Sequence, residues 1–414
     1  MKISVMKLLI VAVLLLSSCS DAQTPTSPEP TSSSPVEATN TPLPAPTSEA
    51  AFTSIPPTPT PEPTAISVSF VNSDQQLGSA RSRDISLGDL DGDGDLDAFV
   101  ANGVRGDIGS QVWLNNGAGI FISSEQELGY GMGLDLGDLD ADGDLDVFII
   151  AWEEAGRVWF NDGTGIFTDS GQSLGVEGGW DAALGDLDAD GDLDAVIAHT
   201  QGDTIWLNDG NGIFTPTVQL LGRSYTTAVG LGDLDSDGDL DALTVGWNDP
   251  GKVWLNDGSG IFTDNGQTLT PGYIHIHGMA MGDLNADGTI DAIMTGAPNQ
   301  VWLNDGAGNF NDSEQKLARL ACDTAALGDF DADGDLDVFM AVGINGQAAD
   351  EIWINDGQGH FTNSGLSLGT EFSSGIGLGD LDGDGDLDAF VSHGELGRAS
   401  GGGIPNEVWF NQTQ

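Results

Sequence analysis

One acidic phrase is written seven times along this 414-residue chain. It is typified by DLDADGDLDVF (Asp138–Phe148), and it starts at Asp89, Asp138, Asp186, Asp233, Asp283, Asp329 and Asp380, at intervals of 46 to 51 residues. A recurrence of this size marks a unit that cannot bury its apolar face alone and must pack on its neighbours, as in a solenoid or a propeller. Every unit reads alike: a short apolar piece (GLGDL), the acidic loop, an apolar run (DAFVA, DVFII), a variable loop, VWLND, a DGTG-type turn, and IFTDS. That is four short strands per unit, with an Asp-Gly turn between the last two and no sustained helical periodicity. The expected fold is all-β, a seven-bladed β-propeller of four-stranded blades over residues 67–414. The chain ends support a closed ring. The last unit stops at NEVWFNQTQ without its fourth strand, and an unpaired strand, VSFVNSDQQLG (Val68–Gly78), precedes the first unit and would complete blade seven. Closure also removes exposed sheet edges.

The loops set oxygen-bearing side chains at alternate positions around a glycine in position six, which suits a hard cation, Ca²⁺ first. The candidate metal residues are Asp89, Asp91, Asp93, Asp95 and Asp97 in the first loop and Asp138, Asp140, Asp142, Asp144 and Asp146 in the second. Asp186, Asp188, Asp190, Asp192 and Asp194 follow in the third, and Asp233, Asp235, Asp237, Asp239 and Asp241 in the fourth. The fifth loop departs with Asp283, Asn285, Asp287, Thr289 and Asp291. The sixth and seventh return to Asp329, Asp331, Asp333, Asp335, Asp337 and Asp380, Asp382, Asp384, Asp386, Asp388. Thr289 at position seven fits a site that uses only the backbone carbonyl there, which leaves the other position-seven aspartates beside the ion or in solvent. Position twelve is Val100, Ile149, Ile197, Thr244, Met294, Met340 or Val391, never the Glu an EF-hand requires. The pattern D-x-D-x-D-G-x-x-D after Gly-Asp-Leu and before an apolar strand resembles FG-GAP/VCBS repeats, the propeller unit of integrin alpha chains and of many secreted bacterial proteins. The resemblance implies a seven-bladed propeller with about seven structural Ca²⁺, one in each loop between the first and second strands.

Charge limits the partners. With 11 Lys+Arg against 65 Asp+Glu the formal net charge is −54, which disfavours nucleic acid and anionic membrane surfaces. Residues 1–18 carry Lys2, Lys7 and an apolar core, and Leu16-Ser17-Ser18-Cys19 resembles a bacterial lipobox. That resemblance implies export, lipidation at Cys19, attachment to the cell membrane or outer membrane, and exposure at the cell surface. Residues 19–66 are a Pro/Thr/Ser-rich disordered tether. Cys322 is the other cysteine, so a disulfide framework is absent and Cys322 reads as a small buried apolar residue.

The calcium loops and the turns between the third and fourth strands share one face. The loops after the second strand and between blades fall on the opposite face, and they vary from unit to unit, as recognition loops do. Seven tryptophans (Trp113, Trp159, Trp206, Trp254, Trp302, Trp353 and Trp409) recur on the third strands and are expected to pack between blades. Trp152 and Trp247 begin loops after second strands, where His199 and His393 also fall, and Trp180 is placed in an inter-blade loop. These five are the candidate ligand-binding residues for an extracellular glycan or protein; aromatic rings beside carboxylates and amides suit sugars. Seven-bladed fungal lectins with similar loops make a glycan plausible by analogy. Three other features are weaker. Arg105-Gly106-Asp107 is a short match to an integrin-recognised tripeptide, His275 and His277 share one strand face, and Asp84 and Asp181 sit where they could line the central channel. No catalytic constellation is found. The expected function is a surface-displayed binding or adhesion module, with an enzyme acting on extracellular polysaccharide, a lyase or hydrolase, as the alternative.

Overall fold

In a computed structural model the described residues are 68–103, 108–175, 177–222, 225–247, 249–269, 275–318, 320–343, 349–394 and 403–413. The signal segment, the tether, Cys19 and Arg105-Gly106-Asp107 lie outside them. The described chain forms seven antiparallel four-stranded sheets. Blade one is built from Ser82–Gly88, Asp97–Asn102, Gln111–Leu114 and Ile122–Ser123, and blades two to six repeat this order. In blade seven Phe70–Asn72 pairs with Glu407–Asn411 in the register Phe70↔Asn411, Val71↔Phe410, Asn72↔Trp409, so the N-terminal strand closes the ring as the sequence predicts.

The second strands are buried along their length, as in DAFVAN of blade one, with only Trp247 at the end of the blade-four strand half-buried, because both faces of each blade are covered by neighbours. Seven apolar clusters form the core. One joins Ile85, Val100 and Trp113 of blade one to Phe390 and Val408 of blade seven. Trp206, Trp254 and Trp302 occupy the same place at later joints.

Two kinds of polar clamp link neighbouring blades, the first at all seven joints and the second at six. The Asn that ends each third strand donates from Nδ2 to a loop carbonyl of the preceding blade: Asn115 to Leu381, Asn208 to Leu139, Asn304 to Leu234, each at 2.8 Å. A glutamine after the fourth strand reaches the other way. Gln172 accepts from Phe214 N (2.9 Å) and donates to Gly212 O (2.6 Å) in the following blade. At the closing joint Leu366 stands in the glutamine position and packs in an apolar cluster, where Phe70 meets Phe330 edge-on at 5.7 Å.

Asp350 joins blades six and seven. It is buried, accepts from Val342 N at 2.8 Å and from Ser373 Oγ at 2.7 Å, and burial pushes its carboxyl up to about 8 from an ordinary 3.8. A raised folded pKa favours the protonated form, so this contribution is fully present below pH about 4 and is lost as pH rises through about 8. Asp350→Asn keeps both contacts without a charge to bury. The variant is expected to match the parent near pH 4 and to exceed it above pH 8, by roughly 1.4 kcal/mol per unit of pKa displacement. Urea unfolding at the two pH values checks this; parallel curves would count against it.

Candidate functional site

The acidic loops are organised by their own backbone. Asp138 accepts from the amides of Asp142 and Gly143 at 3.0 and 3.1 Å and Asp142 accepts from Asp144 N at 3.1 Å; the other loops repeat this, except that in the seventh Asp384 N donates to Asp382 and Asp380 accepts from Gly383 and Gly385. The position-nine aspartate is buried and doubly engaged: Asp146 accepts from Leu139 N at 3.0 Å and from Asn161 N at 2.8 Å. Burial raises its carboxyl to about 6, despite those two donors. Position three supplies an atom without a partner. Asp91, Asp140, Asp188, Asp235 and Asp331 each hold a buried Oδ1 with no hydrogen bond. In the first four loops oxygens from positions one, three and nine lie within 4.8 Å of one another, a spacing one cation with oxygen ligands at about 2.4 Å spans. Orphaned buried oxygens, raised carboxyls and an all-oxygen donor set fit a hard cation. In these four loops the position-seven side chains are not among the converging groups. The carboxylates of Asp95, Asp144, Asp192, Asp239 and Asp335 instead lie over a glycine of the turn between the third and fourth strands (Gly117, Gly163, Gly210, Gly258, Gly357). There φ is near +70° and an added Cβ would come within 2.6 Å of a carboxylate oxygen.

At the other end of the first strands is a cavity of about 330 Å³. Counting back six residues from each loop's first aspartate reaches Arg83, Met132, Trp180, Thr227, His277, Asp323 and Ser374, all of which line it. In six blades the pairing between first and second strands slips one residue at this position, at Ser82/Asp84, Gly179/Asp181, Thr226/Ala228, Ile276/Gly278, Cys322/Thr324 and Ser373/Gly375. A β-bulge takes the extra side chain out of the sheet's alternation. The propeller thus directs one side chain per blade into a shared space. The seven are all different, whereas the loops beyond them are nearly identical.

Aromatic rings extend this cavity outward. Trp152 and Trp180 have ring centroids 5.0 Å apart, Trp180 and Tyr225 5.8 Å, Trp180 and Trp247 6.1 Å. Tyr225 stacks on Trp247 at 5.7 Å and 12°. His275 and His277 stand edge-on to Trp247 at 5.6 and 5.4 Å, and His277 Nδ1 lies 3.4 Å from Asp323 Oδ1. Trp152 is 37 % exposed and the Trp180 and Trp247 rings are half-buried. The structure therefore brings Trp152, Trp180 and Trp247 together and adds Tyr225, His275 and His277 to them. Trp180 belongs to a first strand (Gly179–Gly185) rather than to an inter-blade loop.

His199 and His393 are not part of this group. Both close second strands and are buried. His199 uses both ring nitrogens, against Glu177 O (3.0 Å) and Gln201 N (3.1 Å), and burial lowers His393 to about 4. They stand 13 residues beyond their loop starts, whereas Trp152 and Trp247 stand 14 beyond theirs. One residue along a strand reverses the face a side chain takes.

Asp84 and Asp181 line the cavity, half-buried, and with Asp135 they tie neighbouring first strands together. Asp84 accepts from Leu134 N, Asp135 from Leu184 N and Asp181 from Val229 N, each at 3.0 Å. Burial raises Asp84 to about 6. Burial, then the nearby Asp84, raises Asp181 to about 8.

Residues 89–149, 138–197, 186–244, 233–294 and 329–391 match the FG-GAP-like repeat, so the matches together span well over half the chain. No curated protein sequence matches it. Among solved structures it is similar to BBS1N in complex with ARL6DN, in a mercury-soaked crystal (10% identity, TM-score 0.55, 82% of this chain and 95% of that one). A lead-soaked crystal of the same complex gives 10% identity, TM-score 0.54, and coverage of 83% and 97%. An Agrocybe aegerita lectin described as recognising non-reducing terminal N-acetylglucosamine aligns at 19% identity, TM-score 0.46, over 77% of this chain and 87% of its own. At such identities the BBS1N structures speak to the fold alone. By its repeats and its seven blades, this chain belongs to the FG-GAP-like repeat family.

Proposed function

We propose that the protein is a calcium-stabilised binding module for an extracellular glycan. Its acidic loops hold Ca²⁺ as part of the scaffold, and its sugar site is the aromatic group of Trp152, Trp180, Tyr225 and Trp247 at the mouth of the central cavity. The observation that carries this reading is the convergence of four large rings from blades two, three and four on the variable face, over a polar cavity. Flat aromatic surfaces cover the C–H faces of a sugar while a few fixed polar groups orient its hydroxyls. None of the four rings belongs to the apolar clusters between blades, so their burial is not explained by the scaffold.

A second reading rests on Asp84 and Asp181. Two half-buried carboxyls driven to different pKa values beside a cavity are the raw material of an acid–base pair, which would make the protein a polysaccharide-cleaving enzyme. Their oxygens are already engaged by backbone amides, which favours the binding module. A glycan array run in calcium, followed by chromatography of each bound glycan after overnight incubation, separates the two. Retention of intact glycans is expected. Shortened chains would turn the assignment to an enzyme, and retention of no glycan would refute the glycan reading and leave a protein ligand.

A further inference from the structure

Arg83 is the charged residue of the cavity whose donors the protein leaves unused. It is 9 % exposed, it lines the cavity, and its Nε and Nη1 are buried without a hydrogen-bond partner. The other charged side chains of that lining each have one. Asp84 accepts from Ile85 N and Leu134 N, Asp181 from Ala182 N and Val229 N, and Asp323 faces His277 at 3.4 Å. The hydroxyls are committed as well: Thr227 Oγ1 donates to Ile276 O at 2.9 Å, and Ser374 Oγ to Ser82 O at 2.8 Å. A buried guanidinium with unused donors costs stability, and such a cost persists where a ligand supplies the missing acceptors. Arg83 is also the extra residue of its bulge, between Ser82↔Asn102 and Asp84↔Ala101, so the backbone itself departs from regular pairing there.

Resting on the glycan reading above, we infer that the cavity takes an acidic sugar residue, a uronic acid, whose carboxylate is bound by Arg83 while its ring lies against Trp180 and Trp247. The two free nitrogens lie one on the side edge of the guanidinium and one at its end, and either edge is suited to the planar, paired N–H···O contact that arginine makes with carboxylates. Trp247 Nε1, also buried and unpartnered, offers a further donor at the same cavity. The formal charge of −54 opposes anions at long range, so the fit is to one acidic residue seated in a cavity rather than to a polyanion lying across the face.

The test is titration of the calcium-loaded protein with matched methyl glycosides, glucuronide against glucoside and galacturonide against galactoside. Each pair differs at C6. At least one acid is expected to bind about tenfold or more tightly than its neutral partner. In Arg83→Gln that preference is expected to vanish, with the affinity for the neutral sugar kept and the melting temperature little changed, because two buried donors without acceptors are lost together with the attraction of Arg83 for Asp84. Arg83→Lys, which keeps the charge without the planar fork, is expected to fall between. Equal affinities for acid and neutral sugars in the parent protein would overturn the inference and leave the glycan reading standing. Failure of every sugar to bind would overturn both. A lowered melting temperature in Arg83→Gln with the acid preference intact would assign Arg83 to the scaffold and overturn the inference.

Discussion

Removal of calcium by a chelator is expected to unfold this propeller. Seven loops gather 33 of the 65 acidic residues, and six of them hold a buried carboxylate oxygen with no hydrogen-bond partner among the described residues. With the ion present those oxygens are ligands; without it they are desolvated charges beside like charges, as the raised carboxyls of Asp91 and Asp140 record through burial and then the neighbouring Asp93 and Asp142. The size of the effect follows from linkage. At free calcium ten times Kd a site stabilises the fold by about 1.4 kcal/mol, so seven such sites contribute about 10 kcal/mol. That is comparable to the whole stability of a typical domain, about 5–15 kcal/mol. Excess EDTA should therefore lower the melting temperature by about 10–15 °C, or abolish the transition. Restored Ca²⁺ should recover it, and Mg²⁺, which demands a smaller octahedral shell, should recover little. A melting curve that EDTA does not move would remove calcium from the scaffold.

The architecture was legible because it is written seven times. The spacing of the loops counts the blades, and the unpaired strand around Phe70 predicts the closure seen against Asn411. Periodic tryptophans such as Trp206 announce packing by their regularity, and they occupy the joints. The partners of repeated polar residues were not legible. Asn208 and Gln172 recur in the sequence, but that one reaches back a blade and the other forward is a fact of the closed ring. The cavity was harder still, because its lining positions share a place and not a residue type. Aligned on the loop aspartates, the sixth position upstream holds Arg, Met, Trp, Thr, His, Asp and Ser in turn, a variation in the midst of uniform repeats that marks the site once it is sought. Tyr225 meets Trp152, far from it in sequence, only through the fold, and His275 and His277 join the same group by standing against Trp247. His199 and His393 stand apart from the aromatic group because each closes a second strand, and a one-residue offset from Trp152 and Trp247 is enough to bury them.

The division of labour between loops and cavity is open to a direct test at Trp180 and Trp247. Both rings form the aromatic wall of the cavity, and neither belongs to the clusters that hold blades together. Their truncation removes the stacking surface while leaving the Asn and Gln clamps and all seven acidic loops in place. Aromatic anchors at the centre of a site carry about 2 kcal/mol or more each, so losing two should weaken glycan affinity by several hundredfold. The calcium-loaded melting temperature should fall by only a few degrees, since neither ring lies in the core between blades. The decisive measurement is binding of the Trp180→Ala, Trp247→Ala double variant, in calcium, to the glycans that the parent protein retains. Binding lost to background by a protein that still melts as a calcium-loaded propeller is the predicted result. Undiminished binding by that folded variant would place the ligand elsewhere and contradict the account.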